Sequence, residues 1–141
     1  MRVILDDGAY KPERAYGTDA GFDLRTPEAF DIAPAGPKGA GVAVIDTGVH
    51  MEIPPGYFGS IRSKSGLNVR LGLTTDGVVD SGYTGSITVK LYNHGSKRRA
   101  FEAGDKIAQI IIQPFIAPEI EIVDSLPETD RGTGGFGSTG R

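Results

Sequence analysis

The chemistry open to this chain is concentrated in a few short polar segments set among glycines. In Gly77-Val78-Val79-Asp80-Ser81-Gly82-Tyr83-Thr84-Gly85 one carboxylate sits in a glycine-bounded stretch, the kind of turn that brings a side chain close to a ligand. There Asp80 could act as a general base toward water. It could equally cap its own turn, as Asp-Ser-Gly commonly does. Tyr83 could pack its ring on a ligand or serve as a half-buried strand aromatic. Lys64, Ser65 and Gly66 open the best helix candidate, where free amides and the positive end of the dipole favour an anion. Near the C-terminus, Arg131 to Arg141 combines one ring, Phe136, with Arg131, Ser138, Thr139 and exposed amides such as that of Gly137. Such a segment could stack on a planar base and donate to phosphate oxygens, and by ordering over a nucleotide it would exclude water.

Two other phosphate-binding patterns are excluded. Gly132, Gly134 and Gly137 satisfy GxGxxG, but only Gly140 and Arg141 follow Ser138-Thr139, so no helix can receive a pyrophosphate there. A P-loop needs Lys before the Ser or Thr, and Gly137 occupies that place. The absence of Cys rules out disulfides, thiolate zinc sites and cysteine nucleophiles. His50 and His94 lie far apart, in no metal or triad pattern, and Lys97-Arg98-Arg99 reads as a solvated hairpin loop. A net charge of −3 argues against duplex binding, which draws on many Lys and Arg contacts.

The elements that must position these residues are short. With 141 residues the chain suits one domain, and 21 Gly and 9 Pro spread along it punctuate many turns. Alternation marks strands at Val42-Ala43-Val44, at Thr47, Val49, Met51 and Ile53, and at Ile87, Val89 and Leu91. The run Ile107 to Ile112 reads as a strand buried on both faces, and Ile120 with Ile122 as one more strand. One short helix is expected from Ser65 to Arg70. The expected fold class is therefore all-β, sandwich or barrel, with a core over about residues 1–126 and a flexible Gly-rich arm over about 127–141. No apolar run approaches the ~20 residues of a membrane span, and no signal peptide precedes the acidic Asp6 and Asp7, so a cytoplasmic address and no membrane partner are expected.

The polar segments, taken together, resemble the five ordered motifs of the trimeric dUTPase family. Ala20-Gly21-Phe22-Asp23-Leu24 resembles the first and Lys64-Ser65-Gly66-Leu67 the second, while Gly77 to Gly85 looks like the third. Gly104-Asp105-Lys106-Ile107-Ala108-Gln109 is similar to the fourth and Arg131 to Gly140 to the fifth. The resemblance implies a jelly-roll-like β-barrel, assembly as a homotrimer with shared sites, and hydrolysis of dUTP to dUMP and pyrophosphate with Mg²⁺. It implies Asp80 as the base that activates water, and Asp23 as a carboxylate orienting waters around the metal. Tyr83 would pack under the deoxyribose, and the backbone of Gly77, Val78 and Val79 would read the uracil edge. Lys64, Ser65, Gly66, Gln109, Arg131, Phe136, Gly137, Ser138 and Thr139 would hold the substrate. Read alone, Gln109 also fits the outward face of a strand. Mg²⁺ keeps several waters, so the triphosphate and not a protein cage would hold it.

Two departures from the family pattern stand out. Lys64 occupies a place where Arg is usual, with Arg62 nearby, and Lys cannot offer a bidentate fork. The stretch Gly72 to Gly77 is shorter than usual and lacks the Asn expected near the base, leaving Thr74, Thr75 or Asp76 for that place. Rival functions are a dCTP deaminase of the same fold, which would place a catalytic Glu where Thr84 stands, and a nucleotide-binding switch acting on a protein partner.

Overall fold

Two of the alternating apolar sets are buried, and strands form over part of each. Thr47, Val49, Met51 and Ile53 are all buried, as are Ile87, Val89 and Leu91. The computed structural model describes residues 1–135. Among these the strands are β1 (Val3–Leu5), β2 (Gly21–Arg25), β3 (Phe30–Ile32), β4 (Gly41–Asp46), β5 (Val49–Met51) and β6 (Tyr57–Arg62). The single helix α1 (Ser65–Leu71) follows, then β7 (Leu73–Thr74), β8 (Asp76–Val79), β9 (Thr88–Asn93), β10 (Arg99–Phe101) and β11 (Lys106–Pro114).

Four antiparallel sheets result: β2-β11-β6-β8, β4-β9-β7, β1-β5 and β10-β3. Strand β11 carries the apolar run and lies between β2 and β6, which is why Ile107, Ala108 and Ile110 are sealed on either side. Leu24, Ile61, Val79 and Ile110 from the first sheet join Ile45, Leu73, Val89 and Leu91 from the second in one core. This all-β arrangement is jelly-roll-like, but the strands do not close into a continuous barrel. The register of the four-stranded sheet aligns Asp23, Gln109, Arg62 and Asp76 in a single row across β2, β11, β6 and β8.

Helix α1 begins and ends where its sequence dictates. Lys64 is extended, and Gly72 at φ 66° adopts the left-handed conformation that stops a helix, its N–H returning to Asn68 O. Two expectations are corrected. Ile120 and Ile122 form no strand: β11 ends at Pro114, and the two isoleucines are 93% and 97% exposed because a strand needs a neighbour to accept its backbone bonds. The segment holding Lys97 and Arg98 is exposed as expected, yet it is no hairpin, since β9 pairs with β4 and β7 while β10 pairs with β3.

Candidate active site

Strand β8 delivers the glycine-bounded carboxylate. Its pairing with β6 sets Gly77 opposite Ile61 and Val79 opposite Gly59, after which the chain turns at Asp80. Tyr83 N–H donates to Asp80 O at 3.2 Å across Ser81-Gly82, and Gly82 has φ 88°, the positive value a type II turn requires at its third residue. Ser81 Oγ donates to Ile53 O at 3.1 Å, tying the turn to the core. Behind the turn lies a cavity of about 260 Å³ lined by Ile61, Gly77, Val78, Val79, Asp80, Tyr83, Ser86, Ile87 and Thr88. All five cavity residues expected from the sequence in this segment are there. Tyr83 is held within its own loop, its hydroxyl donating to Ser86 O at 3.1 Å. A side chain at Gly85 would overlap the Tyr83 ring, so glycine there is a condition for the ring's position. Asp80 is exposed at the cavity rim, engaging Tyr83 only through its backbone carbonyl.

A second cluster is built on β2, β11 and the β6–α1 connection. Asp23 is 7% exposed and receives two ammonium groups, Lys64 Nζ at Oδ1 and Lys106 Nζ at Oδ2, the latter at 2.7 Å. Burial alone would push the Asp23 carboxyl up, but the hydrogen bonds and charges of Lys106 and Lys64 together outweigh it and hold the group below the ordinary carboxylate value. Gln109 Nε2 donates to Ser63 O at 3.3 Å. The Ser63 hydroxyl in turn donates to Thr75 O at 3.0 Å and accepts from Thr75 N–H at 2.8 Å. The turn into α1 is thereby fastened to both β11 and the strand that leads to the cavity. Gly21 lies close beneath Gln109, so that a Cβ at that position would displace the end of the Gln109 side chain. No side chain caps α1, which leaves the amides of its first turn without a side-chain acceptor, and the space beside Gly66 is open.

The two clusters thus divide the expected residues between them. Gly77, Val78, Val79, Asp80 and Tyr83 share the cavity; Asp23, Lys64, Ser65, Gly66 and Gln109 gather around the start of α1. On one chain Asp23 lies on β2, the edge strand opposite β8, while Lys64, Ser65 and Gly66 follow β6, the strand that pairs with β8. Arg131 is exposed and folds back locally, its Nε donating to Gly134 O at 2.8 Å. Phe136, Gly137, Ser138 and Thr139 lie outside the described residues. Of the three residues left for the missing Asn, Thr74 and Asp76 are engaged through their side chains, whereas Thr75 is bonded through its backbone and its buried Oγ1 has no hydrogen-bond partner. Thr74 Oγ1 meets His94 Nε2 at 2.8 Å, Thr75 is buried against Ser63, and Asp76 accepts from Arg62 at 2.9 Å.

Sequence reasoning missed Lys106 and the far wall of the cavity, Ser86 to Thr88. Lys106 was visible only as a neighbour of Gln109 in the fourth segment, and its partner on another strand could not be read. Thr84, where the rival deaminase would carry its Glu, does not line the cavity. Among the described residues no three His, Asp or Glu side chains assemble into a metal cage.

Comparison with known proteins gives a consistent result. The profile of the dUTPase family matches residues 8–140. A deoxyuridine 5'-triphosphate nucleotidohydrolase of Anaeromyxobacter sp. (strain Fw109-5) is 44% identical over 131 residues, covering 89% of this chain and 86% of its own length. The enzyme of the same description from Clostridium tetani is 42% identical over 141 residues, covering 98% and 94%. Among solved structures, a dUTPase variant of Staphylococcus bacteriophage 80alpha with dUpNHpp superposes with a TM-score of 0.85 at 29% identity, covering 99% of this chain and 98% of the other. A dUTPase variant from phage phi11 of S. aureus, described as coordinating a structural Mg(II) ion, gives 0.78 at 28% identity, with 88% and 96% covered.

Proposed function

The chain belongs to the dUTPase family, and from that premise we propose that it hydrolyses dUTP to dUMP and pyrophosphate, with Asp80 activating the attacking water. The observation that carries this reading is the cavity of about 260 Å³ in which Gly77 to Asp80 and Tyr83 converge, with the Asp80 carboxylate exposed at its rim. Uracil and deoxyribose would occupy the cavity. The backbone of Gly77, Val78 and Val79 would read the base edge, and the Tyr83 ring would close off space for a 2′-hydroxyl. Removal of a proton from water by Asp80 leaves hydroxide to attack the α-phosphorus, and pyrophosphate departs.

The triphosphate would lie against the Ser65 and Gly66 amides, with Lys64 supplying charge and Gln109 a donor. Asp23 serves this group through Lys64 and Lys106, whose ammonium positions it fixes. Mg²⁺ suits a site without a carboxylate cage because it keeps several waters and is held chiefly by substrate phosphates. Bound there, it would neutralise charge on the phosphate chain. Arg131, Phe136, Gly137, Ser138 and Thr139 would close over the nucleotide.

A homotrimer with shared sites accounts for two features of the single chain. The cavity and the Lys64 cluster are separate groups on one chain, with no lining residue in common, and Ile116, Ile120, Ile122 and Leu126 beyond β11 are each more than 80% exposed. Copies of the chain would cover these side chains and bring the two clusters together.

The test is pyrophosphate release from dUTP, dCTP, dTTP and UTP in turn. The reading expects release from dUTP alone; ammonia from dCTP or binding without turnover would overturn it. Light scattering combined with mixing of Asp80→Asn chains and chains lacking the last eleven residues tests the assembly. Shared sites predict that the mixture recovers activity which neither variant has by itself.

A further inference from the structure

The loop between β8 and β9 contributes side chains to two cavities. Tyr83 and Ser86 face the nucleotide cavity, while Thr84 lines a second groove with Arg2, Val3, Ile4, His50 and Glu52. Its ends are tied to the core by Ser81 and by the Ile87 amide, which donates to Val49 O at 2.9 Å. At Thr84, its outermost part is held by a side chain from another strand: His50 Nδ1 lies 2.8 Å from Thr84 O. The other ring nitrogen of His50, Nε2, lies 3.3 Å from Asp6 Oδ2. A carbonyl and a carboxylate are both acceptors, and a neutral imidazole carries one N–H only. The cation alone can satisfy both.

We propose that His50, as an imidazolium, is a positioning residue for the nucleotide cavity, latching the Tyr83 loop through the Thr84 carbonyl while anchored to Asp6. The proposal rests on the assignment of that cavity to the nucleotide. The His50 backbone is fixed in β5 between buried Val49 and Met51, which puts its side chain on the opposite face, in the groove. The charged groups around it are consistent with a retained cation. Asp6 follows β1, and Asp46 at the end of β4 takes the Ser86 hydroxyl and the Gly48 amide. Arg2 and Glu52 on the same ribbon face pair with each other. The Thr84 carbonyl first, then Asp6 and Asp46, raise the His50 pKa above the ordinary 6.5. A raised value means that both bonds are made below 6.5; as pH climbs through the folded-state value one N–H is left, and in this proposal it stays on Nε2 with the Asp6 carboxylate, the stronger acceptor, so that Nδ1 turns a lone pair toward the Thr84 carbonyl and the latch is released.

His50→Leu removes the latch and retains an apolar fit in β5. Its KM for dUTP should exceed the parent's by about three- to tenfold at pH 6, with kcat nearly unchanged, and the KM ratio should fall toward one by pH 9 as the parent loses its own proton. His50→Asn keeps a donor near the Nδ1 position and should recover part of the KM at pH 6. A KM ratio that is flat across pH, or equal to one at pH 6, overturns the proposal. NMR titration of His50 in the substrate-free protein supplies a readout independent of dUTP. The proposal expects a value above 6.5 that falls in Asp6→Asn, and accelerated amide exchange at Gly85 when His50 deprotonates. Titration at or below 6.5 overturns the latch whatever the substrate, whereas absence of dUTP turnover in a parent whose His50 titrates high would refute only the assignment of the cavity.

Discussion

The two halves of the site hold their carboxylates in opposite states. Asp23 is buried, with each oxygen on a lysine, and its charge is already spent on holding Lys64 and Lys106 in place. Asp80 stands exposed at a cavity rim on a turn fixed by backbone bonds and Ser81. The contrast teaches which carboxylate is available for chemistry: one that is saturated stabilises, and one that is unsaturated on a rigid turn can accept a proton. Removing each should therefore harm the protein in a different currency.

The sharpest separation is in turnover. Asp80→Asn should lower kcat for dUTP by about 10²–10⁴-fold with a modest change in KM, and denaturant unfolding should move by no more than about 0.5 kcal/mol. Pyrophosphate release and a urea melt on the same sample check both halves of that statement, and near-normal turnover would remove Asp80 from the chemistry. Asp23→Asn should show the converse emphasis. Stranding two ammonium groups beside a neutral amide should destabilise by about 2–4 kcal/mol, toward the lower end because solvent reaches both lysines. Urea unfolding measures it, and a loss below about 0.5 kcal/mol would mean that the pair is not a structural keystone.

A smaller effect is expected from glycine. Gly85→Ala must displace the Tyr83 ring, so KM for dUTP should rise by about tenfold and discrimination against UTP should weaken, while the melting temperature changes little. The smallest effect concerns acid. The folded-state pKa of Asp23 lies below its ordinary 3.8, so its stabilisation is complete above that value and disappears as pH falls through the lower folded-state one. The stability difference between the parent and Asp23→Asn should be constant from pH 7 to pH 5 and shrink below pH 4. A gap that persists unchanged at pH 2 would assign the effect to packing and not to charge.

Much of this comparison was legible in the sequence because it is carried by local rules. Alternation at Thr47 to Ile53 and at Ile87 to Leu91 fixed which residues face the core, since side-chain direction in a strand has period two. The short helix expected from Ser65 to Arg70 runs from Ser65 to Leu71, one residue longer. Asp80 between glycines marked a turn, and the turn is there. Ile120 and Ile122 show the limit of the same rule, because alternation proposes a strand but cannot supply the neighbour that accepts its hydrogen bonds.

What the sequence determined by itself, then, was the all-β class, the five polar segments and the family to which they point, all properties of residue type and spacing along the chain. Only the tertiary structure decided that Lys106 shares Asp23 with Lys64, that Ser63 joins Gln109 to Thr75, and that His50 reaches Thr84 from 34 residues away. These pairings follow from strand register across sheets, where partners distant in the chain meet because the buried faces of β2, β11, β6 and β5 leave them no other alignment.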